Sequence, residues 1–359
     1  MNYNLVRRKT RTVRVGNFSI GGSSPIAIQS MTNTDTHNID ATVAQIKALE
    51  NAKCDIVRIT VPDLEAADII TELKKQVSIP VVADIHFDYK IAIKCAELGF
   101  DKIRINPGNI GDEAKIKMVC DACKKNNVPI RIGVNSGSLE KSILNKYGSP
   151  TAEALAESAI YNASLLEKYD FYDTVISIKS SDPKTMIDAN RIVANSCDYP
   201  LHIGVTEAGS QKIGSLKSAI GIGALLCDGI GDTIRVSLTD DPVKEIEAAQ
   251  NILKSIGVEG QSGLQIVSCP TCGRTKIDLI NLVKKFEDVV SEAGLSSIPA
   301  KVAIMGCAVN GPGEAREADV GVAGGINEAL LFKKGQIIRK IPESEIIQTL
   351  IEEIKNIKT

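Results

Sequence analysis

The sequence predicts an α/β protein: an N-terminal parallel (β/α)8 TIM barrel followed by a small α+β domain. Three observations predict it. Eight short β-branched runs alternate with segments of helical periodicity through the first two-thirds of the chain. A Gly/Ser-rich stretch at Gly257, Gly260, Ser262 and Gly263 then breaks the alternation. Beyond it, several short strands follow one another without a helix between them. The predicted boundaries are therefore 1–257 for the barrel and 264–359 for the smaller domain.

The predicted barrel strands are Ile26–Ser30, Ile56–Thr60, Val81–His86, Lys102–Asn106, Ile130–Asn135, Val175–Lys179, Leu201–Thr206 and Thr233–Ser237. Apolar residues at helical spacing lie between them, as in Thr42-Ile46-Leu49 and Ile213-Leu216-Ile220. Before the first strand, Val13, Val15 and Phe18 alternate around Gly16-Asn17, which predicts a hairpin closing the bottom of the barrel. In the second domain the pattern gives strands at Leu264–Val267, Lys301–Met305, Asp319–Ala323, Glu328–Phe332 and Gln336–Lys340. It gives helices at Lys276–Ala293 and Glu343–Ile357.

A formal net charge of −2 argues against a nucleic-acid or anionic-membrane partner, and 4% aromatics without Trp argue against base stacking. The first residues lack the apolar core of a signal peptide. The longest near-apolar stretch, Ala219 to Cys227, is far shorter than the roughly 20 residues of a membrane span. A cytoplasmic protein is expected.

Strands of a parallel barrel are covered on both faces and normally read as unbroken apolar runs. Five of these carry a cation: Arg58, Arg104, Arg131, Lys179 and Arg235. With a side-chain period of two, Arg58 shares a face with Thr60, Arg104 with Asn106, Arg131 with Asn135, Ser177 with Lys179, and Arg235 with Ser237. Asp84 and His86 pair likewise. The Ile and Val residues between them take the helix-facing side, so the polar faces point into the barrel, near the strand ends where barrel active sites lie. Five converging cations repel one another unless a polyanion joins them. Arginine forks suit phosphate oxygens, and more than one phosphate is implied. The competing reading is an internal salt-bridge network drawing on Asp84 and Glu207. Of the three histidines, His86 and His202 fall at strand ends near the mouth, and His37 follows the first strand. Asp84 is placed to orient His86.

The nine cysteines divide by position. Cys54, Cys95, Cys120, Cys123, Cys197 and Cys227 fall in or beside barrel helices, where packing explains them. Ser268-Cys269-Pro270-Thr271-Cys272-Gly273-Arg274 instead sets a CxxC on a turn after a strand. Cys307 follows the strand Lys301–Met305, in a loop rich in Gly and Pro that also holds Asn310 and Glu314. Three thiolates at strand-to-loop junctions suit a [4Fe–4S] cluster whose fourth iron has another ligand, for which Glu314 is the nearest acid. Structural zinc and a redox dithiol are the alternatives. The absence of His from this domain weighs against a Cys3His zinc site.

These strings resemble a known family. SCPTCGRT and MGCAVNGPGEAREADVG, with QSMTNTDT, INPGNIG, RIGVNSGSL and HIGVTEAG, are similar to those of the 4-hydroxy-3-methylbut-2-enyl diphosphate synthases, the IspG or GcpE family. The resemblance runs over essentially the whole chain and is to the two-domain bacterial form, without the middle domain of the plant form. It implies an oxidoreductase of the methylerythritol phosphate route to isoprenoids. The implied substrate is 2-C-methyl-D-erythritol 2,4-cyclodiphosphate, opened, dehydrated and reduced by two electrons from flavodoxin or ferredoxin. It implies that Cys269, Cys272, Cys307 and Glu314 hold the [4Fe–4S] cluster. It also implies a homodimer in which the cluster domain of one subunit caps the barrel mouth of the other.

Residue chemistry and resemblance agree on a division of labour. The five cations take the diphosphate, with Asp84, His86, Asn106, Asn135, Ser177, Thr206 and Ser237 around them. Glu207, after the seventh strand, is placed to give a proton to the leaving hydroxyl, its alternative being a salt bridge to a mouth arginine. Asn310 lies close enough to Cys307 in sequence to reach substrate. Two other classes stay open at this point. One is a zinc-stabilised barrel lyase or transferase of the dihydropteroate-synthase sort. The other is a non-enzymatic iron–sulfur sensor, against which the inward direction of the cations argues.

Overall fold

The structure, a computed structural model, describes residues 6–258, 263–308, 313 and 315–357. It divides into two compact units, 1–256 and 257–359. Gly260 and Ser262 of the expected linker, and Asn310 and Glu314 of the second cysteine loop, lie outside the described residues.

The first unit begins with an antiparallel hairpin, β1 (Val13–Val15) and β2 (Phe18–Ile20), turning at Gly16. Eight parallel strands follow: β3 (Ala27–Met31), β4 (Ile56–Thr60), β5 (Val81–Asp84), β6 (Lys102–Ile105), β7 (Ile130–Asn135), β8 (Thr174–Lys179), β9 (His202–Ile203) and β10 (Thr233–Ile234). Their hydrogen-bonded order is β8-β7-β6-β5-β4-β3-β10-β9, and a parallel bridge from Ile176 to Leu201 joins the two ends of that row into a ring. Val13, Val15 and Ile20 of the hairpin pack against Ala27, Ile56, Val82 and Val175, which occupy the early inward positions of their strands. The hairpin thus seals the N-terminal end of the barrel.

Two predicted strands are shorter than the sequence suggested. Leu201–Thr206 pairs only at His202–Ile203, and Thr233–Ser237 only at Thr233–Ile234. At Gly204 any side chain would meet the carbonyl oxygen of Arg235 at 2.2 Å. The two segments crowd at this point and turn into loops instead of extending the ladder.

Helix starts after the strands are marked by capping side chains. Asp63, Asp88, Asp112, Asp182 and Asp241 each accept a backbone N–H of the helix they open. The stripe Ile213-Leu216-Ile220 is helical, but it faces solvent. The helix Gln211–Cys227 packs instead through Gly214 and Gly221, where a Cβ would lie 2.7 Å from Leu238 and 2.6 Å from Met186. Small residues let this helix sit close, and its aliphatic stripe is left outside. Cys54, Cys95, Cys120 and Cys123 are buried as packing residues, whereas Cys227 is exposed at a helix end, against expectation.

The second unit is one five-stranded sheet in sequence order: β11 (Gln265–Ser268), β12 (Lys301–Met305), β13 (Val320–Gly324), β14 (Glu328–Lys333) and β15 (Gln336–Pro342). β11 to β13 run parallel, and β14 and β15 return antiparallel. Helices Leu279–Glu292 and Ile346–Ile357 bring Phe286, Val290, Leu350 and Ile354 into one core with Val302, Ile304, Val320 and Val322.

Candidate active site

Register builds the barrel mouth. Paired positions on adjacent parallel strands point the same way. Arg58 pairs with Met31 and Val82, Asp84 with Thr60 and Arg104, Arg104 with Arg131, Gly133 with Ser177, and Asn135 with Lys179. A cavity of about 120 Å³ opens among Arg58, Asp84, His86, Arg104, Arg131, Asn135, Ser177, Lys179, Thr206 and Arg235. It has room for about four liquid-water volumes. Gly133 leaves room for this arrangement: a Cβ at that position would lie 2.2 Å from Nε of Arg104 and displace its guanidinium.

Asp84 is the hub. Its carboxylate accepts Nη1 of Arg104 at 3.2 Å and lies 3.7 Å from Nε of Arg58, while His86 stands off at 3.9 Å and is exposed. Burial alone would raise the Asp84 carboxyl, but Arg58, Arg104 and Arg131 outweigh it and hold it at about 2. The aspartate therefore serves the arginines more than His86. The cations carry the opposite stress. Burial, then the like charges of Arg235 and Arg104, bring Arg58 down to about 10, although Asp84 pulls it up. Burial and neighbouring cations also push Arg131 and Lys179 well below their ordinary values. Arginine does not shed its proton in proteins, so this stress is stored as repulsion that an anion would relieve.

Other expected residues take different places. Asn106 is buried. Its oxygen caps Gly108 at 3.1 Å, and its amide nitrogen donates to Ser138 Oγ at 3.1 Å, tying the loops after β6 and β7 together. It does not line the cavity, and neither does the half-buried Ser237. Glu207 is exposed in a left-handed conformation, φ 51°, and forms no salt bridge among the described residues. His202 does not reach the mouth. It is fully buried, with Nδ1 2.7 Å from Oγ1 of Thr233, and burial beside Arg131 and Lys179 drives it well below its ordinary value. His37 sits between two loop carboxylates, 3.0 Å from Asp35 and 3.0 Å from Asp63.

Sequence reasoning missed Met31, Gln29, Lys102 and Glu245. Arg58 donates to the Met31 sulfur at 2.9 and 3.1 Å, and Nη1 of Arg235 lies 3.6 Å from it. Gln29 accepts from Nη1 of Arg131 at 3.1 Å. Lys102 is fully buried and its Nζ has no hydrogen-bond partner among the described residues. Its position, two residues before Arg104 on the same strand face, was the available signal. Glu245 is buried against Arg235 and Ser30.

In the second unit, parallel pairing of Ser268 with Ile304 brings the ends of β11 and β12 together, so the loops holding Cys269 and Cys307 leave the same sheet edge. Gly306 N–H donates to the Cys269 sulfur at 3.2 Å, and Lys276 N–H to the Gly306 carbonyl at 2.9 Å. The Cys272 N–H is held by Thr275 Oγ1 at 3.2 Å. Cys269 and Cys307 are half-buried and Cys272 is exposed. Hydrogen bonds from Arg274 bring the Cys272 thiol below its ordinary value. Three thiols on adjoining loops, one already accepting a main-chain N–H, are a donor set suited to an iron–sulfur cluster. Among the described residues they are not gathered into a finished metal-binding group.

Comparison with known proteins bears on both units. The profile of the GcpE TIM-barrel domain matches residues 10–250, and that of the GcpE protein C-terminal domain matches residues 265–356. The chain belongs to the GcpE family. Relatives named 4-hydroxy-3-methylbut-2-en-1-yl diphosphate synthase (flavodoxin) are 55% identical to it. That of Geobacillus thermodenitrificans aligns over 97% of this chain and 92% of its own length, and that of Clostridium perfringens over 98% and 99%. Among solved structures, the dihydropteroate synthase of Stenotrophomonas maltophilia covers 70% of this GcpE-family chain and 99% of its own at a TM-score of 0.50, with 12% identity. A phospho-2-dehydro-3-deoxyheptonate aldolase from Thermotoga maritima also reaches 0.50, at 10% identity, covering 70% of this chain and 75% of its own. Both likenesses are to the barrel fold alone. Among the described residues, no helix is long and apolar enough to cross a membrane.

Proposed function

We propose that this chain catalyses the reductive opening and dehydration of 2-C-methyl-D-erythritol 2,4-cyclodiphosphate to 4-hydroxy-3-methylbut-2-enyl diphosphate. The observation that carries the reading is the convergence of five buried or half-buried cations at one barrel mouth in a chain 55% identical to synthases of that name. Two electrons, drawn from flavodoxin or ferredoxin, break a ring carbon–oxygen bond and expel a hydroxyl group, which leaves as water once protonated.

Arg58, Arg104, Arg131, Lys179 and Arg235 bind the diphosphate oxygens and carry its charge as the ring opens. Asp84 keeps Arg58 and Arg104 in place. Asn135, Ser177 and Thr206 offer hydrogen bonds within the cavity and His86 stands at its rim, while Asn106 and Ser237, outside its lining, would reach substrate only from the loops beside it. Glu207 gives a proton to the departing hydroxyl. Its left-handed backbone and its lack of a salt bridge among the described residues support that role over the ion-pair alternative. Cys269, Cys272 and Cys307 would hold a [4Fe–4S] cluster, with Glu314 as the fourth ligand, and Asn310, three residues after Cys307 in sequence, would contact substrate. When bound, the cluster supplies electrons one at a time and a Lewis-acidic iron. A carboxylate at the fourth position yields to substrate more readily than a thiolate. The protein works as a cytoplasmic homodimer without nucleic acid or membrane.

The test is anaerobic purification with iron and sulfide analysis, then turnover of the cyclic diphosphate with reduced flavodoxin. About four irons and four sulfides per chain with formation of the open diphosphate are expected. A colourless protein with one zinc and no turnover would refute the reading.

A further inference from the structure

Among the mouth cations, Arg235 has the weakest support from the barrel. Arg58, Arg104 and Arg131 sit inside strands, and Lys179 ends a six-residue one. Arg235 follows a two-residue strand, held by one ladder bond from its N–H to Ile203 O at 3.0 Å. A residue outside the cavity supplies the missing hold. Glu245, in the first turn of the helix Pro242–Ser255, is buried. Its Oε2 accepts Nε of Arg235 at 3.3 Å and the hydroxyl of Ser30 at 2.8 Å. Its Oε1 accepts Nη2 of Arg235 at 3.4 Å and the N–H of Leu238 at 3.1 Å. One carboxylate thus takes the Nε–Nη2 edge of the Arg235 guanidinium, one strand hydroxyl and the loop that follows β10. The second N–H of Nη2 and the Nη1 group, which lies 3.6 Å from the Met31 sulfur, are left to turn toward a ligand.

We propose that Glu245 is a positioning residue that aims Arg235 into the diphosphate site. The proposal rests on reading the barrel mouth as that site. Two effects of the carboxylate oppose each other. Its negative charge is felt by Arg58 and Lys179 and weakens their pull on an anion. Its hydrogen bonds fix the direction of Arg235 and spare the anion the cost of ordering that side chain. If charge alone mattered, removing it would tighten anion binding. If aim dominates, removing it loosens binding.

Glu245→Gln separates them. Glutamine keeps an oxygen for Leu238 but sets an NH2 group against the N–H donors of Arg235. The probe is inorganic pyrophosphate, titrated calorimetrically into the full chain at fixed ionic strength, with melting curves to check folding. About tenfold weaker binding is expected for Glu245→Gln, on the scale of one charge-assisted hydrogen-bond pair. Arg235→Met should lose at least as much. In the Arg235→Met background, Glu245→Gln should change binding by less than about twofold, because the two act as one unit. Ser30→Ala keeps the charge and frees one side of the carboxylate. It should weaken binding a few-fold, and it serves if the glutamine variant does not fold. Glu245→Gln binding as tightly as wild type, or tighter, overturns the proposal. So does a loss that persists undiminished without Arg235, or an unaffected Ser30→Ala where that variant has to serve. Wild-type protein that fails to bind pyrophosphate, or Arg235→Met that binds it unchanged, instead removes the diphosphate site itself and the proposal with it.

Discussion

The barrel mouth and the cysteine end of the second unit solve opposite problems. The mouth is finished before any ligand arrives: its cations are set by strand register, and Asp84 is buried among them with hydrogen bonds satisfied. The cysteine end is two loops leaving one sheet edge, with an exposed Cys272 and one N–H to sulfur contact between the loops. Fixed positive charge can be built by the folded barrel alone, because strand backbone, Asp84 and the helix-borne Glu245 hold the side chains against repulsion. A thiolate site gains most of its order from what it binds, since its ligands repel and reach solvent without it.

The largest effect that would sharpen this contrast is at Cys307. Cys307→Ser should lose iron, sulfide and all measurable turnover, while pyrophosphate still binds at the mouth. Loss of pyrophosphate binding as well would break the separation between the two regions. Next is Lys179→Met, which should weaken pyrophosphate by about tenfold or more and lower the salt dependence of binding, with iron content unchanged. Third is Asp84→Asn. It leaves buried arginines without their carboxylate and should cost about 3–5 kcal/mol in denaturant unfolding. Saturating pyrophosphate should restore part of that loss.

The same residue gives a pH signature. Asp84 titrates below its ordinary value of 3.8, at about 2 in the folded protein. Its contribution of roughly 2 kcal/mol is present above the ordinary value and is lost as pH falls through about 2. Wild-type stability should therefore drop across that window, and the asparagine variant should lack this component. The smallest effect is at His37, where Asp35 chiefly, with Asp63, raises the imidazole above its ordinary value. His37→Gln should leave the melting temperature nearly unchanged while speeding hydrogen exchange in the loops after β3 and β4. A large drop in stability would mean that the mouth loops, too, depend on a single clasp.

How much of this was legible in the sequence depends on whether the signal was local. Arg58, Arg104 and Arg131 stood out because a cation between two β-branched residues contradicts burial, and a period of two fixes its direction. The lengths of β9 and β10 were not legible, because the crowding at Gly204 involves Arg235, which follows a separate strand. The side-chain partners of Asn106 and His202 were not legible for the same reason: strand-end position suggested the mouth, while Ser138 and Thr233 come from other parts of the chain. Glu245 was missed although a trace existed. It shares the apolar face of its helix with Ala249 and Ile252, and an acid on such a face signals a buried partner. Naming that partner as Arg235 required the fold.

The small hairpin at the start of the barrel has a consequence for traffic. β1 and β2 stopper one end of the barrel with Val13, Val15 and Ile20, opposite the mouth. A reaction that releases water deep in such a barrel has no rear exit for it. The expelled water must leave by the doorway through which the substrate came, and it queues behind whatever still fills that doorway.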